Sequence, residues 1–93
     1  MKVHWSRPAS EDVANIWTYH SAVDPDHAER VQDLIDRAVE RLGSFPGLGR
    51  PSGIEDTHLW SIPTIGYIVE YEVDVRRVLI LHVWHARQSR EKP

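Results

Sequence analysis

The sequence predicts a small α+β domain in which a helical hairpin packs on one face of an antiparallel-rich sheet. Two segments have the three- and four-residue apolar spacing of amphipathic helices. Four segments have the composition of strands, and turn-forming residues separate them. The order strand, helix, helix and three-strand meander fits one domain spanning residues 1–93.

The first strand is predicted at Lys2–Trp5 and is followed at once by the first helix. Ser6 is placed to accept hydrogen bonds from free helix amides, and Pro8 is tolerated in a first turn. Glu11 and Asp12 are expected in that first turn, where the helix dipole favours acidic side chains. The side of this helix that faces the core is expected to carry Ala9, Val13, Ile16, Trp17 and His20.

The second helix begins with Asp24 as its cap and Pro25 at its first position, and Gly43 is its natural stop. Residues 45–53 are rich in turn formers and are predicted to be irregular. The apolar positions of the helix recur at spacings of three and four, which places them on one buried stripe: Ala28, Val31, Ile35, Ala38 and Leu42.

Three strands are predicted in the second half of the chain, at residues 58–62, 67–73 and 77–84. The middle strand alternates apolar and polar side chains, whereas the last is apolar on both faces, as an internal strand is. Glu70 and Glu72 share one face of the middle strand. We expect that face to be solvent-exposed, and an acid/base pair is the alternative interpretation.

Composition limits the classes of function. There are no cysteines, so disulfides and thiolate metal sites are excluded, and the histidines lack ligand spacing. We expect no cofactor and no metal. The absence of a long apolar stretch and of a signal-peptide pattern favours a cytoplasmic protein that binds no membrane.

Charge is distributed unevenly along the chain. Residues 1–75 hold six Lys/Arg and thirteen Asp/Glu, whereas residues 76–93 hold five Lys/Arg and one Glu. A cationic tail on an acidic protein favours an anionic partner, either nucleic acid or an acidic peptide. In that tail His85 lies beside Arg87 and Arg90. A ribonuclease needs a titrating group and a cation on the phosphate, which His85 with Arg87 or Arg77 could supply, but no second titrating group is evident.

The spacing of residues along nearly the whole chain resembles the RelE/ParE superfamily of type II toxins. The resemblance rests on the order of five segments: Trp5-Ser6-x-x-Ala9-x-x-Asp12-Val13-x-x-Ile16, Ala28-x-Arg30, Leu42-x-x-Phe45-Pro46-x-x-Gly49-Arg50, Pro63-x-x-x-Tyr67-Ile68-Val69-x-Tyr71 and Val78-x-Ile80-Leu81-x-Val83-x-His85-x-Arg87. It implies a cognate antitoxin, a toxin–antitoxin hetero-oligomer and a cellular target.

The resemblance is closer to the ParE branch, whose members poison DNA gyrase, because the last strand ends in His85-Ala86-Arg87. It implies that the target-binding residues lie in the tail, with two more expected nearby across the sheet; together they are His58, Arg77, His85, Arg87 and Arg90. No covalent chemistry is expected of them.

Two alternatives stay open. RelE-like members cleave mRNA on the ribosome, and here His85 and Arg87 would be the catalytic candidates. The chain also departs from the family at His58, where many members carry an arginine. An inactive homologue that only binds an antitoxin is therefore the other alternative.

Overall fold

The computed structural model describes residues 1–88, and Arg90 lies outside the described residues. The elements in chain order are β1 Lys2–Trp5, α1 Arg7–Ser21, α2 Pro25–Ser44, a short 3₁₀ helix Pro46–Leu48, β2 Arg50–Pro51, β3 Thr57–Ile62, β4 Tyr67–Val73 and β5 Arg77–His85. The five strands form one sheet in the order β1-β5-β4-β3-β2. β1 runs parallel to β5, and the other neighbours are antiparallel. The predicted fold class is confirmed.

Sequence patterns located most of these elements. β1 and β4 have the predicted bounds, whereas β2 and the 3₁₀ helix lie inside the segment predicted to be irregular. α1 begins at Arg7, with the Ser6 side chain as its cap. The prediction that Glu11 and Asp12 occupy its first turn was therefore wrong, because they lie one turn further along.

The core lies between the helical hairpin and one face of the sheet. The predicted stripe of α2 is confirmed, because all five of its members are buried. On α1 the prediction for Trp17 was wrong, since this side chain is 39% exposed. Successive helical residues differ by about 100° in direction. With Ala9, Val13 and Ile16 packed on the core, Trp17 falls at the edge of the buried stripe.

Glu70 differs from its prediction as well. Its residue is only 8% exposed, although a solvent-facing position was expected. β4 has a neighbouring strand on each side, and Leu59 and His82 stand in register with Glu70. Side chains of residues in register lie on the same face of a sheet and cover one another.

Tyr71 fastens the segment between α2 and β3 to the sheet. Its buried hydroxyl donates a hydrogen bond to the carbonyl of Pro46 (2.7 Å) and accepts one from the amide of Gly49 (2.8 Å). A Cβ atom at position 49 would lie 2.6 Å from that hydroxyl oxygen, so the contact requires glycine. The Phe45-Pro46…Gly49-Arg50 motif is thereby held against β4.

A β-bulge interrupts the pairing of β4 with β5. Glu70 pairs with His82 and Tyr71 pairs with Ile80, so Leu81 has no partner on β4. Without the extra residue, strict alternation would continue from Ile80 to position 82 on the face that packs against the helices. The bulge shifts the alternation by one residue. As a result, Val83 and His85 are the residues that face the helices.

Ser6 joins the bulge to the start of α1. Its amide donates to the carbonyl of Ile80 (2.9 Å), and its hydroxyl donates to the carbonyl of Leu81 (3.0 Å). The same hydroxyl oxygen accepts a hydrogen bond from the amide of Ala9 at 3.1 Å. One side chain thus caps the helix and satisfies a carbonyl of the bulge.

We expect Ser6→Ala to lower the free energy of unfolding by about 1–3 kcal/mol, because it removes a helix cap and leaves the Leu81 carbonyl without this donor. Urea denaturation measures the change. Ser10→Ala is the matched control, since Ser10 is exposed on α1 and should change stability by less than about 0.5 kcal/mol. Equal stability of Ser6→Ala and the wild type would show that the bulge does not depend on Ser6.

Candidate functional site

A cleft of about 520 Å³ opens between α1 and the end of β5. We call it the α1–β5 cleft. Its walls include an apolar pair, Ile16 and Val83, and six residues with polar groups: Asp12, Tyr19, His20, Tyr67, His85 and Arg87. The cleft exists because β1 pairs with β5 only as far as Ile80, after which the chain turns into α1.

His85 lies on the floor of the α1–β5 cleft, and its ring is fixed on both sides. Its Nδ1 accepts a hydrogen bond from the backbone amide of Arg87 at 3.1 Å. On the other side, a Cβ atom at position 66 would lie 2.8 Å from Nε2, and Gly66 also has a positive φ of 75°. An imidazole whose Nδ1 accepts a hydrogen bond carries its proton on Nε2 when neutral. In this geometry, His85 has no free nitrogen to accept a proton.

His20 and Tyr67 form a second polar pair in the α1–β5 cleft. The distance from His20 Nε2 to Tyr67 Oη is 2.9 Å, which is a hydrogen-bond distance. Burial lowers the pKa of His20, and the nearby imidazoles of His27 and His85 lower it further. Burial raises the pKa of Tyr67, with a smaller contribution from Tyr19. Both groups are therefore held neutral at pH 7.

Aromatic rings from four elements meet around this pair. The ring centroids of His20 lie 5.0 Å from Tyr19, 5.1 Å from His27 and 6.0 Å from Tyr67. His85 packs edge-on against Tyr67 at 5.1 Å. The cluster joins the end of α1 and the start of α2 to the start of β4 and the end of β5. Nevertheless, no group of three or more His, Asp, Glu or Cys side chains within residues 1–88 has a metal-binding arrangement.

Asp12 caps the exposed edge of β5 beyond the bulge. Its Oδ2 accepts a hydrogen bond from the amide of Val83 (3.0 Å) and lies 3.1 Å from His82 Nδ1. β1 does not extend alongside this part of β5, so the carboxylate accepts the hydrogen bond that a neighbouring strand would otherwise accept. Close by, Gln88 Oε1 accepts a hydrogen bond from the backbone amide of His85 at 2.8 Å.

The predicted target-binding residues do not form one cluster. His85 and Arg87 lie together at the α1–β5 cleft, whereas Arg77 starts β5 and is eight residues away from His85, roughly 25 Å along the strand. Arg77 Nε lies 3.7 Å from Asp74 Oδ2. Placing Arg77 beside the tail was therefore wrong, because it lies at the opposite end of the same strand.

His58 lies in β3, in register with Tyr71 and away from the α1–β5 cleft. Its ring stacks on that of Tyr71, with centroids 5.4 Å apart and an interplanar angle of 23°. Its Nδ1 is buried and has no hydrogen-bond partner within residues 1–88. The expectation that His58 lies near the tail was wrong as well, since it packs on the tyrosine that fastens the 46–49 segment.

The sequence did not identify His20, Tyr67 and Asp12 as members of the site. The helical spacing placed His20 on the side of α1 that faces the core, where it is half-buried. This placement does not reveal that His20 meets Tyr67. The pairing of Tyr67 with His85 depends on the register of β4 and β5. That register in turn depends on the bulge at Leu81, for which the sequence carries no distinct signal.

The lowered pKa of His20 predicts how stability depends on pH. The unfolded chain binds a proton at about pH 6.5, whereas the folded protein binds it only at lower pH. This contribution to the free energy of unfolding is therefore complete above pH 6.5 and is lost progressively as the pH falls below it.

We expect His20→Gln to reduce the loss of stability between about pH 7.5 and pH 5.5, measured by urea denaturation at each pH. The control is His4→Gln, because His4 is exposed on β1 and away from the ring cluster. An unchanged pH profile in His20→Gln, or the same change in His4→Gln, would contradict the assignment.

Comparison with known proteins places the chain in a family. A family model described as "ParE toxin of type II toxin-antitoxin system, parDE" matches residues 3–90. The chain is 37% identical over 88 residues to a protein of Sinorhizobium fredii named "Putative toxin Y4kP", covering 95% of this chain and 91% of the relative.

Two solved structures have the same fold. One, "Chromosomal ParDE TA system from P. aeruginosa", superposes with a TM-score of 0.82 at 21% identity, covering 94% of this chain and 97% of the other. The other, the isolated E. coli RelE toxin, gives 0.71 at 14% identity, covering 96% and 87%. At these identities the likeness concerns the fold alone. On the strength of the family model and the S. fredii relative, this chain belongs to the ParE toxin family of type II toxin–antitoxin systems.

Proposed function

We propose that the protein is a ParE-type toxin that arrests growth by binding DNA gyrase and is neutralised by a cognate antitoxin. The observation that carries this proposal is the arrangement of the tail. Arg87 stands at the α1–β5 cleft without a carboxylate partner within residues 1–88, beside a His85 ring that is already fixed. This arrangement suits a binding contact. The Arg87 guanidinium has no carboxylate partner within residues 1–88, and the His85 ring is held by its hydrogen bond from the Arg87 amide.

The geometry favours binding over RNA cleavage. A general base needs a free lone pair within reach of the substrate hydroxyl. His85 uses Nδ1 to hold the Arg87 amide, and its Nε2 edge lies against Gly66. A catalytic role would require the turn after β5 to open first.

Charge supports the same conclusion. The chain has a net charge of −3, with Lys2 and Lys92 as its only lysines. Binding to ribosomal RNA depends on many contacts between phosphates and basic residues, and a protein that makes few of these contacts binds weakly. Within the α1–β5 cleft, the charge of Arg87 is accompanied by the opposite charge of Asp12.

The antitoxin is proposed as the second partner, in a toxin–antitoxin hetero-oligomer. β1 is an edge strand, and a groove of about 540 Å³ lies between it and α2. Apolar Val3, Trp5 and Val39 line this groove, with Asp36 and Glu40 beside them. An exposed strand edge and an apolar groove are the features by which folded domains bind extended and helical peptide segments.

Replacing Arg87 and Arg90 with Ala together should abolish growth arrest on induced expression while antitoxin binding in a pull-down is largely retained. The reason is that the tail supplies the target contact, whereas the antitoxin is expected to bind elsewhere. The control is the double variant Arg37→Ala/Arg41→Ala, which removes the same charge from the exposed face of α2. Unchanged toxicity of the tail variant would refute the assignment of the target contact.

A second candidate function is RelE-like cleavage of mRNA on the ribosome. One observation favours it: His20 and Tyr67 lie in the same cleft as His85 and Arg87, which supplies the further titrating groups that the sequence did not reveal. If this function is correct, His85→Ala abolishes mRNA cleavage in a translation reaction. Normal growth of expressing cells, together with tight antitoxin binding, would instead identify an inactive homologue that serves as a binding module.

A further inference from the structure

We propose that the α1–β5 cleft is a binding site for oxyanions, either a carboxylate or a phosphate-type group, and that binding requires a proton on His20. The proposal concerns the chemistry of the cleft, and it holds whether or not gyrase is the target. The ligand is an oxyanion, and protonation of His20 on α1 controls whether it binds.

Hydrogen-bond donors of the cleft remain available. Arg87 has no carboxylate partner in the part of the chain that the structure describes. Gln88 uses its Oε1 to accept the His85 amide, which leaves its side-chain NH₂ for another acceptor. Asn15 adds a second amide from α1, and Ile16 and Val83 form an apolar wall beside them. A few polar donors on a largely apolar lining are typical of small-molecule sites.

The charge balance of the cleft explains why a proton is needed. Arg87 contributes one positive charge and Asp12 contributes one negative charge, so they offset each other for an approaching anion. Asp12 is held in place by Val83 and His82, and it does not leave the cleft. A proton on His20 adds one positive charge to the wall of the same cleft. An anion then enters a cationic cleft instead of a neutral one.

His20 is the group best placed to take that proton. His85 already accepts the Arg87 amide through Nδ1, and it would lose this hydrogen bond on protonation. His27 packs edge-on against His20 but does not line the cleft. Protonated His20 can keep its contact with Tyr67, because its Nε2–H then donates to the phenol oxygen.

The surroundings of His20 oppose protonation when no anion is bound. The titratable and charged groups that face it are Asp12 and Tyr19 on α1, His27 on α2, Tyr67 on β4, and His85 with Arg87 at the end of β5. Burial opposes the charge of protonated His20 most, and a bound anion would offset the added repulsion from the imidazoles of His27 and His85. By linkage, the proton and the anion strengthen each other's binding equally, so affinity should rise by up to about tenfold for each pH unit lowered.

The test is a titration of the full chain with sulfate and with acetate, followed by two-dimensional amide NMR at about pH 6 and about pH 7.5, with ionic strength held constant by sodium chloride. Sulfate is used instead of phosphate because its charge does not change between these pH values. We expect saturable shifts at the amides of Arg87, Gln88 and Tyr67, with affinity at least about fivefold tighter at the lower pH.

Three variants and one control decide the mechanism. His20→Gln and Arg87→Gln should each abolish the binding seen near pH 6, whereas His4→Gln on β1 should leave it unchanged. Asp12→Asn should act in the opposite direction and allow binding at about pH 7.5, because it removes the negative charge that offsets Arg87. The side-chain oxygen of the asparagine can still accept the hydrogen bond from the Val83 amide. A variant that fails to fold can lose binding but does not gain it, so the expected result for Asp12→Asn separates the proposal from misfolding.

The two anions, sulfate and acetate, distinguish a phosphate-type site from a carboxylate site. Binding of sulfate without acetate would identify a phosphate-type site, and binding of acetate without sulfate would identify a carboxylate site. Affinity that does not change with pH, affinity unaffected by His20→Gln, or no saturable shift with either anion would overturn the proposal. None of these results depends on gyrase inhibition, so failure here is distinct from failure of the proposed function.

Discussion

The contact of Ser6 with the Leu81 bulge is the constraint on which the rest of this structure depends. One serine donates to two successive carbonyls of β5 and caps α1, so the end of β1, the start of the helical hairpin and the irregularity in β5 are fixed together. The bulge then changes which residues of β5 face the helices. His85 reaches the α1–β5 cleft only because Leu81 is left out of the ladder.

The α1–β5 cleft follows from the same geometry. Because β1 stops where α1 begins, the outer edge of β5 beyond Ile80 has no neighbouring strand, and side chains cap it instead. Asp12 binds the Val83 amide and Gln88 binds the His85 amide. Asp12 thereby places one carboxylate in a cavity walled by rings, and Arg87 adds a guanidinium that has no carboxylate partner within residues 1–88. The charges of these two side chains offset each other.

Much of the fold could be predicted from local patterns. The buried stripe of α2 and the bounds of β1 and β4 follow from periodicity and caps, which act over a few residues. Arrangements set by tertiary structure could not be predicted. Glu70 is buried because two strands flank it, and Trp17 is partly exposed because of how α1 is rotated on the sheet. The site shows the same division. His85 and Arg87 are close in sequence, whereas Tyr67 joins them through strand register and His20 through the packing of α1 on the sheet.

We propose that the protein acts by binding its target and not by cutting RNA. The most direct test is to add the purified protein to two parallel reactions. One measures DNA supercoiling by gyrase, and the other follows the length of mRNA during translation. We expect blocked supercoiling with intact mRNA. Fragmented mRNA with normal supercoiling would refute a binding mechanism and would make His85 a catalytic residue.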